Sequence, residues 1–153
     1  MRRLTLLLIV LGLASSLWAA DPRVGTWKLN IAQTKSNQPL PKEETVVCQA
    51  VGDRFEVTFT GIATNGSPFS LKTTYPAGGG ETKYLSSPNP QGTSFIATEI
   101  EPTNWYTTML KDGKQVRLYH YVISKDGKTM RATATGMDSQ GKPINALEVW
   151  DKQ

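Results

Sequence analysis

Tyr119-His120-Tyr121-Val122-Ile123-Ser124-Lys125-Asp126-Gly127-Lys128-Thr129-Met130-Arg131-Ala132-Thr133-Ala134 reads as two extended segments around a tight turn. β-branched and aromatic residues fill the first arm, threonines recur in the second, and Asp126-Gly127 tolerates the positive φ angles that a hairpin turn demands. Strands joined this tightly must be antiparallel neighbours. An even register sets Ile123 against Met130, Tyr121 against Ala132 and Tyr119 against Ala134, large side chains facing small ones. Because side chains alternate between faces, the opposite face sets His120 against Thr133 and Val122 against Arg131. The first face is the interior candidate, since the second would bury Arg131, and His120 then points outward.

The same rhythm runs along the chain, with short β-branched and aromatic runs recurring between turn residues at intervals of about 8 to 12 residues. Strands are expected at Gly25–Asn30, Thr45–Val51, Arg54–Thr60, Phe69–Tyr75, Thr82–Leu85, Ser94–Ile100, Trp105–Leu110, Gln115–Ile123, Thr129–Thr135 and Ile144–Trp150. Gly52-Asp53, Asn65-Gly66, Asp112-Gly113 and Ser139-Gln140-Gly141 supply further turns. Asn65-Gly66-Ser67 also fits an N-glycosylation acceptor and is read as a turn. The class is all-β: an antiparallel up-and-down meander, most economically completed by closing into a barrel of about 8–10 strands, which removes exposed edges.

Three places interrupt the regularity. Ile31 to Lys42 has the composition for a short helical turn, with Pro39 and Pro41 preventing a long one. At Lys111-Asp112-Gly113-Lys114, a two-residue turn would place Tyr106 and Thr108 beside Tyr119 and Arg117, whereas a glycine bulge would bring Trp105 and Met109 to that face. The bulge is preferred, because it buries a tryptophan and a methionine. Pro76 to Gly80 and Ser86 to Gly92 are looser, and read either as ordinary connectors or as a lid over a barrel mouth.

Met1 to Ala20 has the parts of a cleavable secretory signal: Arg2 and Arg3, an apolar run from Leu4 to Leu13, and small residues before Asp21. Ser15 and Ser16 cut the run short of the roughly 18 residues a membrane span needs. Cleavage is expected after Ala19 or Ala20, leaving one domain over residues 21–153 that is released, soluble, into the periplasm or beyond. A lipoprotein anchor would need a cysteine just after the cut, and the single cysteine is Cys48. It lies in a strand-like run, where a free thiol acts as a small buried hydrophobe; intermolecular pairing is the alternative. With no internal disulfide the fold must hold by its core, and a chain of this size should bury roughly two-thirds of its unfolded surface.

Removing Arg2 and Arg3 from 17 basic residues leaves 15 against 13 acidic ones, a net charge of +2, with no basic stripe. Nucleic acid, which is held through several phosphate contacts, is therefore excluded as a partner. His120 is the single histidine, so multi-histidine metal sites are excluded. There is no Gly-x-Ser-x-Gly elbow, no phosphate loop and no dinucleotide fingerprint, and nothing selects Ser94 or Ser124 as a partner for His120. Carboxylates pair at Glu43-Glu44 and at Glu99 with Glu101. The second pair would lie about 7 Å apart on one strand face, and is read as a solvated strand end. No catalytic residue, metal ligand or cofactor is assigned.

Gly25-Thr26-Trp27-Lys28-Leu29-Asn30 resembles the Gly-x-Trp opening of lipocalins and the wider calycin group. Together with Ser124 to Thr129 and Asp138 to Lys142, it is similar to small secreted lipocalin-like bacterial proteins. The resemblance implies an antiparallel barrel whose first-strand tryptophan plugs one end, the other end opening on a cavity for small apolar ligands. It also implies an arginine from the end of the barrel packed on that tryptophan. The final strand to Trp150 has none, which leaves Arg131 or Arg117 as substitutes.

Two functions of different kinds follow. The first is an exported barrel binding a small apolar or amphipathic molecule, with Phe59, Tyr75, Trp105, Tyr119 and Tyr121 as cavity residues. The alternative is an envelope interaction module, an inhibitor or assembly accessory, using loops and exposed aromatics such as Trp150. An enzyme is not expected.

Overall fold

A computed structural model describes residues 21–83 and 94–153. The expected signal at residues 1–20, Leu85 and the loop Ser86 to Gly92 lie outside the described residues. Eleven strands are seen among those described: β1 Gly25–Leu29, β2 Lys35–Ser36, β3 Glu43–Val51, β4 Arg54–Ile62, β5 Pro68–Pro76, β6 Gly80–Lys83, β7 Ser94–Glu101, β8 Asn104–Lys111, β9 Lys114–Ile123, β10 Thr129–Met137 and β11 Pro143–Lys152. Among the described residues no helix is long and apolar enough to cross a membrane.

Ten strands follow one antiparallel path, β5-β4-β3-β1-β11-β10-β9-β8-β7-β6. The first and last strands of the chain are neighbours, with Trp27 opposite Lys152 and Leu29 opposite Trp150. That pairing turns the meander back on itself. The two ends of the path, β5 and β6, are consecutive in the chain and joined by a turn in which Gly79 N–H donates to Pro76 O at 2.9 Å. Gly79 has φ 84°, and a Cβ there would stand 2.6 Å from the Ala97 carbonyl oxygen. The result is a nearly closed barrel. The Pro76 to Gly80 stretch is thus a tight connector, its Ala77 N–H bonded to Asp53 O in the β3–β4 turn.

The β9–β10 hairpin has the expected register: Ile123 opposite Met130, Tyr121 opposite Ala132, Tyr119 opposite Ala134. Met130, Ala132 and Ala134 are buried, while Arg131 and Thr133 are exposed. At the preceding hairpin Trp105 and Met109 do turn inward, each 7% exposed, but the bulge is not at the glycine. Asp112 (φ 51°) and Gly113 (φ 76°) both take positive φ, which suits an unbulged two-residue turn. The extra residue is Val116, between the pairs Leu110–Gln115 and Met109–Arg117. Opposite it, a Cβ on Gly136 would collide with the Val116 carbonyl oxygen.

The segment after β1 makes one turn, with Thr34 N–H bonded to Asn30 O at 3.0 Å, and not a helix. The chain then re-joins β11 as β2, Lys35 opposite Leu147 and Ser36 opposite Ala146. Asn37 fixes the exit, its Oδ1 accepting from Asn145 N–H at 2.9 Å and its Nδ2 donating to Pro143 O at 2.8 Å. Gln38 to Pro41 next line one end of the interior as a strap, held by Thr64 Oγ1 donating to Leu40 O at 2.9 Å.

The other end is a floor. Trp27, 1% exposed, lies there, its Nε1 donating to Arg23 O at 2.9 Å. Arg23 is itself 5% exposed, its guanidinium 4.3 Å from the Phe55 ring centroid and 5.7 Å from that of Trp105. It pairs with Asp21 at 2.6 Å and Glu99 at 2.8 Å. Burial works against the Arg23 charge, but these two carboxylates more than offset it and hold the side chain firmly protonated. The cation against Trp27 is Lys152, 5.0 Å from the ring, and neither Arg131 nor Arg117. β11 continues two residues past Trp150, which brings Lys152 inward. Glu99 is correspondingly no solvated face: a register shift separates it from Glu101 and it anchors the floor.

Candidate functional site: the barrel interior

Between floor and strap lies a cavity of about 1180 Å³ that is partly open to solvent. Its wall follows from strand alternation, since every second residue of each strand must face inward. Phe59, Tyr75, Trp105, Tyr119 and Tyr121, the five residues expected at a cavity, all line it. On β8 and β9 they form an aromatic ladder. Trp105 stacks on Tyr121 with centroids 4.9 Å apart and planes at 7°, and Tyr121 on Tyr119 at 5.8 Å. Arg117 continues it, with Nη1 donating to Tyr119 Oη at 2.9 Å. Opposing tyrosines to alanines on β10 leaves room for this stack, as the large-against-small pattern anticipates. On β4 and β5, Tyr75 lies 5.5 Å from Phe55, and burial pushes its hydroxyl pKa up.

Four polar groups inside this wall were not anticipated as site residues: Glu44, Arg117, Glu148 and the indole N–H of Trp150. Trp150, expected at the surface, is 4% exposed and faces inward. Its Nε1 and the Thr73 Oγ1 are buried without a hydrogen-bond partner, and Thr73 is 3% exposed. Glu148 has its pKa pushed up to about 7 by burial, although the neighbouring Trp150 N–H and Arg117 favour its charge. Burial, followed by repulsion from Glu148, pushes Glu44 up to about 8. The signal for both glutamates was present in the alternation Glu44-Val46-Cys48 and Ala146-Glu148-Trp150. That signal is outweighed by the general rule that a carboxylate in a strand lies on the solvent face.

Cys48 is buried as expected and also lines the cavity; burial pushes its thiol up to about 12, so it stays protonated and unreactive. His120 is on the outer face, as the register required, stacked on Tyr106 at 4.3 Å with Nε2 2.8 Å from Asn104 Oδ1. Among the described residues no group of three or more His, Cys, Asp or Glu is placed to hold a metal ion. The arrangement can therefore enclose a molecule of modest size against aromatic rings and present a few polar groups to it.

No family model matches the chain, and no curated protein matches it. Among solved structures, the crystal structure of Rv2717c from M. tuberculosis is similar at 18% identity and a TM-score of 0.56, over 92% of this chain and 98% of that one. At that identity the likeness establishes a shared fold. Zebrafish ileal bile acid-binding protein complexed with cholic acid aligns at 14% identity and a TM-score of 0.48, over 86% of this chain and 99% of that one.

Proposed function

We propose that the chain is an exported binding protein that carries a small amphipathic ligand inside its barrel. The observation that carries this reading is the cavity of about 1180 Å³ walled by Trp105, Tyr121, Tyr119, Tyr75 and Phe59. Its size is that of a small-molecule site, on the order of 300–1,000 Å³ or slightly above. A packed core would have closed it, since well-packed interiors leave few voids larger than a water. Its polar groups, two of them buried without a partner, suit a ligand with an apolar body and a polar end. Export rests on the signal-like reading of residues 1–20.

Trp27, Trp105 and Trp150 all border the cavity, so occupancy should change intrinsic fluorescence. Titration with fatty acids, retinoids and aromatic compounds is expected to give saturable quenching by at least one class. Trp105→Ala should weaken it, because the stack with Tyr121 is lost. No saturable response to any class would end the reading. Fractionation of cells expressing the full chain should place a species beginning at Ala20 or Asp21 outside the cytoplasm; retention of an uncleaved chain inside would remove export.

A further inference from the structure

Resting on that ligand-binding reading, we propose that the carboxyl groups of Glu44 and Glu148 form the polar end of the site and receive a protonated amine, making the preferred ligand a cationic amphiphile. The two residues come together because of how β1 ends. Pairing of β1 with β3 runs from Gly25–Cys48 to Lys28–Thr45, and pairing with β11 stops at Leu29–Trp150. Beyond Leu29 the chain folds away through Asn30 to Thr34, so Glu44 on β3 and Glu148 on β11 flank the gap it leaves. Both line the cavity, and Glu148 lies close enough to Glu44 for repulsion to act on it.

Among the described residues neither glutamate forms an ion pair, and burial holds both carboxyl groups towards their protonated form. Arg117, on β9, favours the charge of Glu148 without forming an ion pair with it and donates to the Tyr119 hydroxyl at 2.9 Å. An anionic head group would meet two carboxyl groups for that one guanidinium. An ammonium group would instead favour ionisation of the two carboxyl groups and pair with them, while the apolar tail lies along the Trp105–Tyr121–Tyr119 ladder. Trp150 faces the same place: its Nε1 is buried at the cavity wall, and its N–H favours the charged form of the Glu148 carboxyl beside it. Its ring adds a π face next to the place where the cation would sit.

The experiment compares three probes with the same chain, dodecylamine, 1-dodecanol and dodecanoate, by tryptophan fluorescence at pH 7 and below their aggregation thresholds. The full mature protein is used as wild type, E44Q and E148Q. Dodecylamine should bind roughly tenfold or more tightly than dodecanol, the size of one charge-assisted contact, and dodecanoate more weakly than dodecanol. In both glutamine variants the preference for dodecylamine over dodecanol should disappear. Dodecanoate binding as tightly as dodecylamine, or an amine preference that survives in both variants, overturns the inference while leaving the barrel a ligand carrier. Failure of all three probes to bind overturns the carrier reading together with it.

Discussion

At the scale of single residues, Glu44 and Glu148 dominate the pH behaviour of the fold. Their pKa values are pushed up to about 8 and about 7 from an ordinary value of 4.5. Below that ordinary value both states hold the protons and the two groups contribute nothing. As pH rises towards 8 the unfolded chain releases protons that the folded chain keeps, so folding stability falls, and the loss is complete above about 8. Thermal melts should therefore show a higher midpoint at pH 5 than at pH 8.5, and E44Q or E148Q should flatten the difference. A midpoint that rises across this window would contradict the half-buried, cavity-facing placement of both carboxyl groups. Neither role was legible from composition, because a glutamate in an alternating strand belongs to whichever face the register selects.

At the scale of elements, β9 shows how register is settled. The hairpin to β10 was legible from pairing tyrosines with alanines, since one face alone could be buried without Arg131. The hairpin to β8 was legible in its outcome and not in its mechanism. Asp112 and Gly113 make a tight turn, and the misfit between that turn and the buried Trp105 and Met109 is absorbed at Val116. A bulge leaves little trace in sequence, but its partner does, since Gly136 must pass close to the Val116 carbonyl. Gly136→Val should cost about 1–3 kcal/mol, as overpacking does, measurable as a lower urea midpoint. A neutral substitution would show that the bulge relaxes freely. The strap from Asn37 to Lys42 was less legible: its prolines excluded a long helix, while the short β2 depends on β11, distant in sequence.

At the scale of the whole molecule, closure depends on the floor. Arg23 lies between Phe55 and Trp105 and joins Asp21 to Glu99, tying the start of the domain to β4, β7 and β8. Arg23→Met keeps much of the side-chain volume and removes the charge, leaving two partly buried carboxylates unpaired. It should destabilise the barrel by about 3 kcal/mol in equilibrium unfolding, and an unchanged midpoint would show that the floor is held by packing alone. The all-β class, the turns at Gly52-Asp53, Asn65-Gly66 and Asp126-Gly127, and the β9–β10 register were legible in the chain alone. Those follow from local rules: side chains alternate with period two, and Asp-Gly and Asn-Gly turns join adjacent strands. The hollow interior, the cations Arg23 and Lys152 at the floor, and the sharing of the cavity by Glu44, Glu148 and Trp150 came instead from packing across the barrel. Each of these depends on the pairing of β1 with β11 and on strands from opposite ends of the chain facing one another, and no local pattern carries information about contacts so distant in sequence.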